Sequence, residues 1–440
     1  MNRFEISLFY TKEVLILMKQ TICEKIIAHY AGKDHVSPGD YVVVKDFVGP
    51  IGYSFTGSNF LEVFPKSMMN AGLPFAHPEN CIVNGDHNVP FKNQADVALA
   101  RGVKALGKEL GVTRIYDREG IGHVVNVEKG DIGPGTLFAH FDPQAMTAGG
   151  VCALFTNGGR FGGSIMEAFA MGEMTLRVPE TVRIIVDGEL PEYVSGRDIW
   201  QATLNLIGPD GAAGKVIEYC GTTVDSLPIE QRMILCCNDA FASADGALVG
   251  SDAVTQKWFK DNFNRDVCTL CSDPDAEFYA TYHIDATKLV PMVTCPPEVY
   301  TSKPASELGS IKINQCIMGT CSGGSLTDLR VAASILKGRT IAKDVRFIIS
   351  PVTQRVYVEA AREGLLTILA EAGARIISPT CDVCIGIQGA LGPGEVGLSQ
   401  QTLNVPGRSG STEADIYLSG AAVIAASAVT GYITDPSALS

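Results

Sequence analysis

Short apolar runs that are typical of strands alternate with helical segments along the chain, and this alternation most restricts the possible folds. Four such strand-like runs are 40–47, 181–188, 344–352 and 374–380. Apolar residues recur at helical spacing in 95–111 and 353–373, and both of these segments end in glycine. Strands that alternate with helices through short Gly and Pro turns predict an α/β fold, in which helices cover largely parallel sheets.

The length of 440 residues predicts more than one compact unit, because single hydrophobic cores stop growing well below that size. The best candidates for boundaries are the Gly-rich stretch 147–163 and the Pro-rich stretch 291–304. These stretches divide the chain into three predicted domains: 19–157, 158–290 and 291–440. Residues 1–18 are expected to form an N-terminal extension, and Met18 is a candidate for the true start because a helix-like run begins just after it.

The overall charge restricts the classes of partner. A net charge of −13 and a pI near 5.1 argue against binding to nucleic acid or to an anionic membrane surface. The apolar patch near the N-terminus is too short to span a bilayer. An anionic substrate stays possible, since a pocket can be locally basic within an acidic protein. Thirteen cysteines without a disulfide-scaffold spacing fit reduced thiols in the cytoplasm.

Cysteines in turn-forming surroundings are the strongest chemical signal. Cys381 and Cys384 form a Cys-x-x-Cys pair, which can bind zinc, cycle as a redox couple or bind an iron–sulfur cluster. Cys321 lies in a second Gly-rich loop, and both loops follow strand-like runs. We therefore expect the two loops to meet at the carboxyl ends of neighbouring strands. Spacing alone does not choose among the three chemistries, because Cys268 and Cys271 form another such pair.

Several motifs in a consistent order resemble the aconitase/3-isopropylmalate dehydratase family, from about Lys19 to the C-terminus. The segments that carry the resemblance are GIGHVVNVEKGDIGPGT, MGEMTLRVPETVRIIVDGELP, GAAGKVIEYCG, GTCSGGSLTDLRVAASILKGR, TCDVCIGIQGALGPGEVGLS and GRSGSTEADIYLSGAAVIAASAVTGYITDP. The resemblance implies an aconitase-like, three-domain α/β body around a [4Fe–4S] cluster. The implied ligands are Cys321, Cys381 and Cys384, with one iron left open to substrate. Cys268 and Cys271 lie outside these motifs.

The resemblance also implies a set of catalytic residues. Asp86 and His87, in NGDHNVP, match the family's Asp-His pair, which would help the hydroxyl leave as water. His123 matches its second histidine, with Glu218 as the carboxylate partner of His123, and Asp142 would act with them on the carboxylate and water.

Further positions are expected to bind substrate. Arg408 would anchor a carboxylate in bidentate fashion, and Asn238 falls where the family has an asparagine near the cluster. Gln144 would replace an acid–base group by a neutral hydrogen-bonding one.

Several positions depart from the family pattern. Pro143 and Gln144 replace a serine and a histidine after Asp142, and proline offers neither a hydroxyl nor a backbone N–H. Leu403 stands where the family has an arginine, and Thr402 where it has an asparagine. In the first cysteine loop the usual asparagine and arginine are Gly323 and Ser325. A leucine leaves a buried carboxylate without a partner, so these changes disfavour citrate as substrate.

The resemblance thus predicts the large subunit of a two-chain hydro-lyase acting on a malate-like hydroxy acid, such as 3-isopropylmalate or dimethylmalate. A small partner subunit is expected to supply the remaining catalytic domain. Two alternatives are an aconitase-like variant for another hydroxy acid and a non-catalytic iron–sulfur binding or sensory protein.

Overall fold

The computed structural model describes residues 19–52, 76–140, 142–157 and 168–439. The predicted N-terminal extension lies outside the described residues. The described strands are β1 Tyr41–Lys45, β2 Gly49–Gly52, β3 Cys81–Gly85, β4 Arg114–Asp117, β5 Leu137–His140, β6 Leu154–Asn157, β7 Glu173–Arg177, β8 Glu180–Asp187, β9 Lys215–Cys220, β10 Gly246–Val249, β11 Ala280–Asp285, β12 Met292–Thr294, β13 Ser302–Pro304, β14 Gln315–Met318, β15 Arg346–Ile349, β16 Arg375–Ile376, β17 Val396–Ser399 and β18 Asp415–Ser419.

Helices connect most of these strands. The α-helices are α1 Ile22–Tyr30, α2 Gln94–Glu109, α3 Gly122–Glu128, α4 Gly196–Ile207, α5 Thr222–Ser226, α6 Ile229–Cys236, α7 Ala253–Phe263, α8 Leu326–Leu336, α9 Gln354–Arg362, α10 Leu365–Glu371 and α11 Ala421–Thr430. Short 3₁₀ helices are Pro78–Asn80, Pro143–Val151, Asp239–Ala242, Ala286–Lys288, Ala305–Glu307, Asp382–Ile385 and Pro436–Leu439.

The largest sheet in the described residues has seven strands in the order β13-β12-β18-β17-β14-β15-β16. The run from β18 to β16 is parallel, while β12 pairs antiparallel with both β13 and β18. All four residues of β14 are buried, as expected for a strand covered on both faces. Residues of α8 and α11 belong to the same core cluster as those of β14 and β15.

This sheet determines where the cysteine loops lie. Cys321 follows β14, and Cys381 and Cys384 follow β16, so both loops leave the same carboxyl edge of the sheet. The prediction of neighbouring strands is wrong, because β15 lies between β14 and β16. The ligand loops of open α/β sheets lie at this edge.

The remaining sheets are smaller and mostly parallel. The strand order is β10-β9-β8-β11 in one sheet and β2-β3-β4 in another, and β5 pairs with β6. The pair β1 and β7 is antiparallel. The α/β class predicted from the alternation of strands and helices is confirmed. The division into three domains stays a prediction.

Local sequence explains several helix boundaries. Thr21 begins α1 with a reciprocal capping box to Glu24, and Ser325 begins α8 with the same arrangement to Asp328. The segment 353–373, which reads as one amphipathic stretch, is divided into α9 and α10. Gly364 lies between the two helices at φ +75°, a left-handed conformation that interrupts the helix. Within the described residues, no helix combines the length and apolar character needed to cross a membrane.

A buried carboxylate joins two loops that are distant in sequence. Asp382, between the paired cysteines, accepts the backbone N–H groups of Asn88 at 2.7 Å and Val89 at 3.1 Å. The backbone N–H of Cys381 donates to the carbonyl of Asp86 at 2.8 Å. Gln388 Nε2 completes the junction by donating to the carbonyl of Val89 at 2.9 Å. The loop after β3 and the loop after β16 therefore form one hydrogen-bonded unit.

Replacing Asp382 by alanine is expected to lower the free energy of unfolding by about 3 kcal/mol, because two buried N–H groups lose their acceptor. Urea unfolding followed by circular dichroism measures this change. The control is Asp344→Ala, which removes only an exposed ion pair with Lys312 and is expected to have little effect. Equal effects of the two substitutions would contradict the structural role of Asp382.

Candidate active site

Asp86 and His87 follow β3 and form a buried pair. His87 Nδ1 lies 2.7 Å from Asp86 Oδ1, and Asp86 Oδ2 accepts the backbone N–H of Gly122 at 2.9 Å. Burial opposes the charge on Asp86, but His87 and Gly122 outweigh it and hold the pKa of Asp86 well below its usual range. Burial likewise opposes the charge on His87, yet Asp86 prevails and raises the pKa of His87. Both shifts favour an ionised carboxylate beside a protonated imidazole.

His123, Asp142 and His140 form a second buried group. His123 Nε2 lies 3.4 Å from Asp142 Oδ2, and the backbone N–H of Asp142 donates to His140 Nδ1 at 2.8 Å. Burial lowers the pKa of His123, but the Asp142 carboxylate outweighs it and raises this pKa to about 9. Burial and the charge of His123 lower the pKa of His140 to about 4. The ring centroids of His123 and His140 are 5.1 Å apart, edge to face, so a charged imidazole stands beside a neutral one.

The thiols of the two cysteine loops lie close to one another. Cys381 and Cys384 are close enough to interact, which raises the pKa of Cys381 and lowers that of Cys384. Cys321 is near enough to contribute to the raised pKa values of Cys381 and Cys237. Arg408 Nη2 lies 3.0 Å from Cys384 Sγ. The structure thus brings together the three cysteines that the motifs single out.

The surroundings of these thiols fit a group that is bound through sulfur. Ten buried polar side-chain atoms have no hydrogen-bond partner within the described residues, and among them are Asn88 Oδ1, Asn238 Oδ1 and Arg408 Nε. Asn88 belongs to the loop joined to Asp382, and Asn238 directly follows Cys237. In the described part of the chain, no three His, Cys, Asp or Glu side chains form the arrangement that a single metal ion needs. The ligands of a cluster bind separate irons, and a thiol donor set suits an iron–sulfur cluster.

Gln144 lies beside this group in the 3₁₀ helix Pro143–Val151. Asp142 caps that helix, since its Oδ1 accepts the backbone N–H of Gln144 at 2.9 Å. The carbonyl of Gln144 faces Cys237 Sγ at 3.9 Å. Proline at the first position of this helix costs no hydrogen bond, because its N–H would have had no partner within the helix.

The predicted pairing of His123 with Glu218 is wrong. Glu218 lies in β9, where its Oε2 accepts the hydroxyl of Ser272 at 2.7 Å. Burial raises the pKa of Glu218 to about 7. The carboxylate that faces His123 is instead Asp142, which precedes the 3₁₀ helix and was expected only as a further member of the group.

The departures from the family pattern have local explanations. A Cβ on Gly323 would lie 2.3 Å from the side-chain carbon Cδ of Gln400, so a larger residue there would have to displace the Gln400 side chain. Leu403 packs against an apolar cluster that includes Val299 and Leu418. Thr402 Oγ1 lies 3.9 Å from Cys384 Sγ.

Two residues near the site were not singled out from the sequence. His140 accepts the hydrogen bond from the backbone N–H of Asp142. Its position at the end of β5 is the feature that could have indicated a role in the site. Arg197, in the first turn of α4, is 1% exposed and hydrogen-bonds to Ser322, directly after Cys321. An arginine in a helical pattern usually faces solvent, so only the tertiary structure reveals its burial.

Comparison with known proteins gives a consistent result. The profile of the aconitase family (aconitate hydratase) matches residues 62–302 and 297–431. The 3-isopropylmalate dehydratase large subunit of Sulfurihydrogenibium sp. is 34% identical over 423 residues, which cover 95% of this chain and 96% of that protein. The probable 3-isopropylmalate dehydratase large subunit of Methanothermobacter thermautotrophicus is 35% identical over 424 residues, covering 96% and 100%. The corresponding large subunit of Moorella thermoacetica is 35% identical over 422 residues, covering 95% and 99%.

A solved structure, that of Thermococcus kodakaraensis aconitase X, has a TM-score of 0.49 and 13% identity over 87% of this chain and 89% of that one. That likeness is too weak to support an argument, so the assignment rests on the sequence matches. The family profile and the long, similar relatives show that the chain belongs to the aconitase family of hydro-lyases, as its motifs predicted.

Proposed function

We propose that the chain is the large subunit of an iron–sulfur hydro-lyase that adds or removes water on an alkyl-substituted malate, such as 3-isopropylmalate or dimethylmalate. The relatives named above support this reaction. The observation that carries the proposal is the junction of the Asp86–His87 pair with the cysteine loop through the backbone of Cys381. This junction supports the proposal, because it would bring a proton donor next to the candidate ligands.

The ligands of the [4Fe–4S] cluster would be Cys321, Cys381 and Cys384. When bound through three thiolates, such a cluster supplies an open iron, a Lewis acid that can bind the hydroxyl and a carboxylate of the substrate. Arg408 beside Cys384 offsets part of the negative charge of the thiolates.

His87 is the proposed acid for the departing hydroxyl. Asp86 keeps its imidazole charged and orients it through Nδ1. The proton on Nε2 would then pass to the leaving oxygen, which departs as water. In the hydration direction, the same nitrogen would take a proton from water.

His123, charged through Asp142, would order the substrate carboxylate and the water. The unpartnered Nε–H of Arg408 and the unpartnered Oδ1 of Asn238 are buried polar atoms suited to a ligand in this pocket. Gln144 would contribute a neutral amide. Glu218 has no role in this scheme, because it is bound to Ser272.

The cations near the thiols limit how many carboxylates of a substrate can be paired, and this limit supports the proposed substrate class. The Nε–H groups of Arg408 and Arg197 are both buried without a hydrogen-bond partner in the described residues, but both terminal nitrogens of Arg197 already donate to backbone carbonyls. Leu403 offers no charge and packs in an apolar cluster. A tricarboxylate such as citrate would bury a charge that lacks a partner, so an acid with fewer carboxylates and an alkyl group fits better.

A small subunit is the proposed partner, since the relatives are named large subunits. By resemblance to two-chain enzymes, it would carry the base that removes the carbon-bound proton. The decisive experiment is anaerobic purification of the chain together with the small subunit encoded beside it.

The purified complex is expected to contain about four irons per large subunit and to convert alkylmalates to alkenes, detected by ultraviolet absorbance. Turnover of citrate at the same rate would contradict the substrate class. A colourless protein with stoichiometric zinc would contradict the proposal as a whole.

Asp86→Asn is expected to move the alkaline limb of the pH–rate profile to lower pH by about one unit or more, because an opposite charge at this distance shifts a pKa by that amount. His87 acts as an acid, so activity falls as pH rises through its raised pKa. The substitution lowers that pKa and brings the fall to lower pH. The control is Asp117→Asn, at the end of the adjacent strand β4, where the carboxylate pairs with Lys104. An unchanged profile in Asp86→Asn would exclude His87 as the acid.

Arg408→Gln is expected to raise KM for the substrate about tenfold to a hundredfold, since a charged hydrogen bond to a carboxylate is lost. Initial rates across substrate concentrations measure this, and the iron content of each variant is determined alongside because Arg408 also contacts Cys384. Arg346→Gln removes an arginine that pairs with Glu395 and serves as the control. A KM equal to that of the parent enzyme would show that Arg408 does not bind the substrate.

A further inference from the structure

Arg197 is a fully buried arginine that the proposed reaction does not use. Its Nη1 donates to the carbonyl of Gln400 at 2.8 Å and to Ser322 Oγ at 3.2 Å, and its Nη2 donates to the carbonyl of Gln401 at 3.1 Å. These partners are close in the chain to residues of the candidate cysteine site. Ser322 directly follows Cys321, and Gln401 directly precedes Thr402, whose hydroxyl lies 3.9 Å from Cys384 Sγ.

The contacts of Gln400 extend this arrangement around the first cysteine loop. Gln400 Oε1 accepts the backbone N–H groups of Gly319 at 3.2 Å and Gly324 at 3.0 Å, and the Gln400 carbonyl accepts Ser322 Oγ at 2.6 Å. The missing Cβ of Gly323 leaves the space that the Gln400 side chain fills. Hydrogen bonds thus hold the loop 319–325 against Gln400, the residue that follows β17. Arg197 donates to the carbonyl of the same glutamine.

The charge of Arg197 needs a physical reason, because burying a guanidinium is costly unless it is compensated. The hydrogen-bond partners of its terminal nitrogens are neutral groups, two carbonyls and one hydroxyl. The groups that interact with it electrostatically are the carboxyl groups of Asp198 and Asp328 and the thiols of Cys237 and Cys321. Asp198 is engaged by Ser195 and by the backbone of Met292 rather than by the guanidinium.

We propose that Arg197 is a positioning residue that fixes the Cys321 loop against the end of β17 and places a positive charge beside the thiolates. The charge part of this inference rests on the proposed iron–sulfur function. The positioning part concerns the protein alone and can be tested without iron.

Four variants separate these two effects from general destabilisation. Arg197→Lys keeps the positive charge but cannot donate to the carbonyls of Gln400 and Gln401 at the same time. Arg197→Met keeps the approximate volume and lacks both the charge and the hydrogen bonds. Matched controls are Arg232→Lys and Arg232→Met. Arg232 is also fully buried, and it donates to Asp252 and to the carbonyls of Leu227 and Asp225, away from the cysteine loops.

The first measurement uses iron-free protein and the rate at which iodoacetamide labels individual cysteines, determined by mass spectrometry. Both Arg197 variants are expected to speed the labelling of Cys321 about tenfold or more, because the loop opens more readily. Cys316, buried in β14, is the internal reference and should label at an unchanged rate. Labelling of Cys321 at the parent rate in Arg197→Lys would overturn the positioning role, even where Arg197→Met fails to fold.

The second measurement uses the reconstituted complex with the small subunit and records the reduction potential of the cluster. Arg197→Met is expected to make the potential more negative, since a lost positive charge disfavours the added electron. Arg197→Lys is expected to restore a potential close to that of the parent, and the Arg232 variants should not change it. Equal potentials in Arg197→Met and the parent would overturn the charge role.

A parent complex that contains no iron would overturn both the proposed function and the charge role of Arg197. The labelling result would still decide the positioning role, so the failure of one claim can be distinguished from the failure of the other.

Discussion

The arrangement of the candidate site depends on the hydrogen bonds that the Asp382 carboxylate accepts. This carboxylate accepts two backbone N–H groups from the loop after β3, and the same junction includes Thr380 Oγ1, which donates to the carbonyl of Asp86 across 294 residues of sequence. Because these contacts use the backbone of the Asp86 loop, both carboxylate oxygens of Asp86 remain available for His87 and Gly122. The charge of His87, its orientation and its nearness to the cysteine loop therefore have one common cause.

Because this region is buried, a charged group in it is costly unless an opposite charge or a hydrogen bond compensates it. His87 has Asp86 beside it and His123 has Asp142, and both carboxylates favour the charged imidazole. Burial and the charge of His123 instead lower the pKa of His140 to about 4, and His140 accepts the backbone N–H of Asp142. The thiols have guanidinium groups nearby in Arg408 and Arg197. In a poorly solvated pocket, unpaired charges would be costly, so this pairing is what allows many titratable groups to lie together.

The pattern of apolar residues predicted much of the fold, and the order of the family motifs predicted much of the candidate site. The run at 40–47 contains β1 and the run at 181–188 overlaps β8, because a strand's apolar residues are visible locally. Other features depend on contacts between distant residues. Spacing could not show that β15 separates the two cysteine loops. Helical periodicity continues through Gly364, where the backbone adopts a left-handed conformation. The partner of His123 is Asp142 rather than Glu218, because the 3₁₀ helix that begins after Asp142 packs against α3, whereas Glu218 lies in β9 and binds Ser272.

The sequence by itself determined the class of fold, because strand and helix patterns are local, and the order of its family motifs singled out the three cysteines and the Asp86–His87 pair. Only the tertiary structure decided which groups meet. Pairing at buried sites depends on strand order and on backbone hydrogen bonds between remote loops, and neither leaves a local signal in sequence. Arg197 illustrates the difference most clearly. In the sequence it is an ordinary residue in the first turn of a helix, and in the fold it is a buried cation behind the Cys321 loop.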